Sequence, residues 1–179
     1  KEYLAAYPDV ANSASLYLIH NLHMQSACAM MGAGYSYSSK SAEASRESFD
    51  TSFISIAAPF GTFIQYVYMT PVITNIRFGQ WDEILNAPSV PENYVYANFL
   101  NHWARGIAQA RKNNIVEAKT ELAYLQKNMY QPEMLVVMQP FNAPADAAKV
   151  AEKLLEGIIA EQENDLPTAL LSFSEAVKN

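Results

Sequence analysis

Four residues near the end of the chain limit its fold more than any others: Gly157, Ala169, Phe173 and Ala176. In GIIAEQENDLPTALLSFSEAVKN the small residues fall where two antiparallel helices must approach closely, and the large ring of Phe173 lies between two of them. Asn164 and Asp165 supply turn residues, and Pro167 falls in the first turn of a second helix, where a missing amide proton costs little. The spacing predicts a helical hairpin. HWARGIAQARKNNIVEAKTELAYL repeats it with Gly106, Asn113 in the turn, Ala118 and Leu122, and IRFGQWDEIL offers a third turn at Gly79 with Trp81 two residues beyond. Residues 79 and 113 are 34 apart; 113 and 164 are 51 apart, and the surplus is assigned to an insertion at 128–144 that contains NMYQPEMLVVMQPFNAP.

A 34-residue helix-turn-helix period with small residues at these offsets resembles the tetratricopeptide repeat. The resemblance implies an all-α chain, an α-α superhelix of about four partly degenerate hairpins at 15–50, 60–88, 92–128 and 145–179. Strand signals are scarce: LVVM is the one short β-branched run.

LIHNLHM, residues 18–24, carries two of the three histidines of the chain. With Ser26 placed where Gly106 and Gly157 stand, His20 and His23 occupy positions that, as the resemblance implies, look into the concave groove of such an array. The same registration nominates Tyr66, Met69 and Arg77, then Trp103, Ile107 and Arg111, and last Leu154, Ile158, Glu161 and Gln162. Such a lining suits a peptide bearing apolar side chains and a carboxylate, which arginine binds with paired hydrogen bonds. The turn GAGYSYSSKS reads as stretched, with the following helix beginning near Ser39 and running through ASRESF.

The chain also resembles a group of bacterial tetratricopeptide proteins marked by a histidine pair, an RFG-x-WDEIL segment and a W-H-Y-ARG-like helix. Here these are HNLHM at 20–24, RFGQWDEIL at 77–85 and NHWARGIA at 101–108. What it implies is a multi-repeat helical array; the groove lining makes the expected function a binding scaffold for a protein or peptide, without cofactor. A second reading has His20 and His23 share a copper or zinc ion, with Met30 and Met31 as soft ligands. His102 is expected in the packing between helices.

A formal charge of −6 with scattered basic residues argues against a nucleic-acid partner. No apolar run is long enough to cross a bilayer, and one cysteine, Cys28, excludes an internal disulfide. Compartment stays open between cytoplasm and periplasm. No P-loop, G-x-S-x-G elbow, H-E-x-x-H or glycine-rich dinucleotide turn is present, so catalysis is not expected. Cys28 reads as a buried, inert thiol, and the pair Glu117 and Glu121 as solvated. Thr70-Pro71 predicts a kink or a new helix capped by Thr70, and Met134 to Phe141 should pack back onto the array or pair with another copy. The start at Lys1 without methionine and the unfinished pattern at Asn179 suggest a piece of a longer protein, with Tyr3 to Tyr7 as the tail of another repeat. A homodimer through the exposed terminal repeat is a further expectation.

Overall fold

Four turns adopt one backbone solution. Ala33, Gly79, Asn113 and Asn164 have φ of 55°, 67°, 64° and 62°, in the left-handed region that glycine and asparagine tolerate best. In each case the next residue sends its amide back to the carbonyl five residues earlier: Gly34 to Ala29, Gln80 to Asn75, Asn114 to Gln109 and Asp165 to Ala160, all at 2.9 Å. This closure satisfies the orphaned carbonyls of the finished helix and starts the next one at once.

The structure, a computed structural model, describes residues 8–49, 56–137 and 142–179, with side chains from residue 16 onward. In chain order the helices are α1 (Pro8–Met31), α2 (Tyr35–Glu47), α3 (Phe60–Tyr68), α4 (Thr70–Arg77), α5 (Trp81–Asn86), α6 (Val95–Arg111), α7 (Ile115–Asn128), α8 (Pro144–Gln162) and α9 (Leu166–Lys178), with a 3-10 turn at Pro132–Leu135. Among the described residues there is no strand, so the chain is all-α as expected.

The turn after Met31 corrects the sequence reading: α2 begins at Tyr35, not near Ser39, and ends at Glu47. Glycines at 32 and 34 let residues 29–34 close as the other three turns do, so no residues are added. Ala33 and Gly79 are 46 positions apart, and that surplus falls instead between α2 and α3. The second surplus joins α7 to α8, and there Met134 is fully buried, which packs that connection back onto the helices. Residues 138–141, including Phe141, lie outside the described residues, as do Tyr3 to Tyr7.

Helix contacts follow the chain. α1 packs on α2, α6 on α7 and α8 on α9; between hairpins, α2 meets α4, α5 meets α6, and α8 meets both α6 and α7. Each of the first three hairpins therefore packs against the one that follows it. Close approach, inside a hairpin and between neighbouring hairpins, depends on small residues. A Cβ at Gly106 would stand 2.5 Å from Leu155 Cδ2 and 3.2 Å from Glu121 Cβ, and one at Gly157 would stand 2.5 Å from Phe173 Cε1. In the first hairpin the same place is taken by Ser26 and Ser38, both fully buried, with hydroxyls 2.9 Å apart.

α3 ends and α4 begins on either side of Met69, a break at the expected site. Its chemistry differs from the expectation, because Thr70 does not cap a helix. Pro71 lacks the amide that would reach the Val67 carbonyl; the Thr70 hydroxyl donates to that carbonyl instead.

Candidate functional site: an apolar cleft along the first helices

α3, α6 and α8 lie side by side and leave a cleft between them. One recess of about 400 Å³ is lined by Phe63, Tyr66, Tyr96, Val136, Ala143 and Ala147 among others. A second of about 240 Å³ shares Tyr66, Tyr96 and Ala147 with it and continues past Ile73, Leu100, Trp103, Ala151 and Leu154. The shared wall makes them one cleft. A third recess of about 180 Å³ joins at Phe63 and brings in His20, Phe60 and Val67. A larger one of about 740 Å³ lies between α2, α4, α5 and the segment before α6, rimmed by Glu43, Arg46, Glu47 and Glu83; none of the nominated residues lines it.

The side chains of the cleft come from helical spacing. Tyr96, Leu100 and Trp103 lie three and four apart on α6, as Ala147, Val150, Ala151 and Leu154 do on α8, so one stripe of each helix faces the same space. Burial of the Tyr96 ring, with Tyr66 as its neighbour, pushes the phenol pKa up to about 12. Tyr96 therefore remains a neutral donor at physiological pH. The Trp103 indole Nε1 is buried without a hydrogen-bond partner among the described residues, a costly state for a polar group.

The nominated residues divide. Tyr66, Trp103 and Leu154 line the cleft, and His20 lines its extension. Met69 does not: it is fully buried at the break between α3 and α4. Ile107 and Ile158 are also packed in the core. Arg111 is exposed, but its guanidinium is engaged by Glu161 at 2.7 Å, so two nominated residues meet each other across adjacent hairpins. Arg77 is exposed and forms no ion pair with any described residue.

His23 is held at the seam between the first two hairpins. Its Nδ1 lies 2.8 Å from Thr70 Oγ1 and its ring meets Tyr66 edge-on with centroids 5.7 Å apart. Since the threonine hydroxyl already donates to Val67, it accepts from His23, which fixes the proton on Nδ1. Burial, and secondarily His20, hold the His23 pKa below the usual histidine value. Among the described residues no cluster of three or more histidine, cysteine or acidic side chains is placed to hold a metal ion.

Three further placements differ from the sequence reading. Cys28 is exposed, not buried. Glu121 is not a solvated surface acid: it lies 2.5 Å from His102 Nδ1 and 3.2 Å from Arg105 Nε. His102 does sit between helices, as expected, with its ring stacked on Tyr124 at 3.5 Å between centroids. Spacing missed Tyr96 because it lies outside the repeat positions assigned to a groove, whereas Leu100 and Ile73 were within reach of the same registration.

No helix among the described residues is long and apolar enough to cross a membrane. No family model, curated protein or solved structure matches the chain.

Proposed function

We propose that the chain is a tetratricopeptide-like array that binds a peptide or protein segment in the cleft along its first helices. The observation that carries this reading is the continuous apolar and aromatic lining formed by Phe63, Tyr66, Tyr96, Trp103, Ala151 and Leu154 on three successive hairpins. Aromatic side chains supply contact area at small entropic cost. With Arg111 already engaged by Glu161, recognition rests on apolar side chains rather than on a terminal carboxylate.

The test is selection from a displayed library of random peptides, followed by binding measured with immobilised hits. The expected outcome is enrichment of sequences with two or more aromatic or aliphatic residues, binding lost in Leu154→Arg and Tyr66→Arg and retained in Leu171→Arg, which changes an exposed residue outside the cleft. No enrichment, or binding indifferent to the two cleft variants, would sink the proposal.

A further inference from the structure

Counting from the four turn residues puts the hairpins in a common frame and shows which faces are used inside the molecule. Ahead of Asn113, α6 buries Ala97, Asn101, Ala104 and Ala108. The same places in the second hairpin hold Phe63, Val67, Thr70 and Thr74, and in the fourth Ala148, Glu152, Leu155 and Ile159; Phe63 and Glu152 are half-buried and the rest buried. In every first helix that follows another hairpin, no residue of this stripe is exposed. In α1 the stripe is Tyr17, Asn21, Met24 and Cys28, and all four are exposed. Tyr17 is 72% exposed and Met24 47%.

The second helices show the other half of the contact. In the first hairpin, Tyr35 meets the Phe78 ring at 5.2 Å and Arg46 lies over the Tyr68 ring at 4.5 Å. In the third, Lys119 bonds Glu163 at 2.6 Å and Gln126 bonds Glu152 at 3.0 Å, while Ile115 packs against the core. Counted from the turn, α9 has Leu166, Leu170 and Val177 in the places of Ile115, Lys119 and Gln126. They are 61%, 67% and 88% exposed.

Among the described residues, one leading face and one trailing face thus stay exposed, of a contact that the hairpins make three times internally. We infer that two copies of this chain associate head to tail, the Tyr17–Met24–Cys28 face of one seated on the Leu166–Leu170–Val177 face of the other. The internal contacts pair a leading face with a trailing face, never two alike, which makes the association heterologous and open to further addition. Both open faces are apolar along their centres, so joining them separates no charge from its partner, and exposed apolar stripes of this kind gain from mutual burial. The inference is independent of the cleft, which neither face includes.

Sedimentation or light scattering of the 179-residue chain at increasing concentration tests it. The expected result is a weight-average mass that rises from one copy through two and beyond. Met24→Lys and Leu170→Lys, both at exposed positions, should each remain monomeric when alone, because each has lost one face. Mixed in equal amounts they should form a discrete one-to-one dimer, since the first keeps the trailing face and the second keeps the leading face. A monomer at every concentration of the unmodified chain would overturn the inference. So would a dimer that survives Met24→Lys but not Leu170→Lys, which is the mark of two trailing faces meeting.

Discussion

The first and third hairpins bring their helices together at the same place with opposite chemistry. In the third, a hydrogen atom at Gly106 leaves room for the fully buried Leu155 and for the Cβ of Glu121. In the first, the Ser38 hydroxyl donates to the Ser26 carbonyl at 3.0 Å and meets the Ser26 hydroxyl, which in turn lies 3.2 Å from Thr74 of the next hairpin. One contact depends on the absence of a side chain, the other on a closed set of hydrogen bonds. Steric contacts fail abruptly when filled, whereas a polar contact fails only when one member is removed and another is left unsatisfied.

The largest expected effect breaks the steric half of that comparison. Gly106→Val should cost about 2–3 kcal/mol in urea unfolding, because Leu155 is enclosed and the Cβ of Glu121 is tied to its backbone. Gly157→Val should cost less, since the obstructing ring of Phe173 is only half-buried and can swing outward. Equal losses at the two glycines would show that the enclosure of Leu155 adds nothing.

Next comes the polar half. Ser38→Ala should cost about 1–2 kcal/mol by leaving the buried Ser26 hydroxyl short of one partner. Ser26→Ala/Ser38→Ala should recover part of that loss, with a coupling on the order of 0.5 kcal/mol or more. Strict additivity in the double-mutant cycle would mean the hydroxyls act separately.

The smallest effect concerns pH at the seam between the first two hairpins. The His23 pKa is lowered in the folded state, chiefly by burial. Between its folded and unfolded values the unfolded chain binds the extra proton, so stability rises with pH through that window. His23 contributes fully above the unfolded value near 6.5, and that contribution is lost as pH falls below it. In His23→Gln the urea midpoint should change less between pH 7.5 and pH 5.5 than in the parent; an unchanged slope would remove His23 from the account.

Much of the hairpin framework was legible because its turns and close contacts leave marks that survive in one sequence. Gly79, Asn113 and Asn164 were read as turns, and Gly106 and Gly157 as close contacts, since few other residues satisfy those backbone and steric demands. Ala33 was missed for the same reason: alanine rarely adopts a left-handed conformation, and the serines that follow suggested a longer turn. The cleft was half legible. Tyr66 and Trp103 followed from repeat registration, but Met69 was misplaced because the break at Pro71 turns its side chain into the core. The pairing of Arg111 with Glu161 joins adjacent hairpins, a relation that registration within one repeat does not contain.

Ala33 has a dynamic consequence. A left-handed L-residue with a methyl group costs about 1–2 kcal/mol, an expense that glycine escapes at 79 and asparagine reduces at 113 and 164. The hairpin closed by Ala33 therefore keeps the narrowest margin against local opening, and amide exchange along α1 and α2 should run ahead of exchange in the three hairpins that follow.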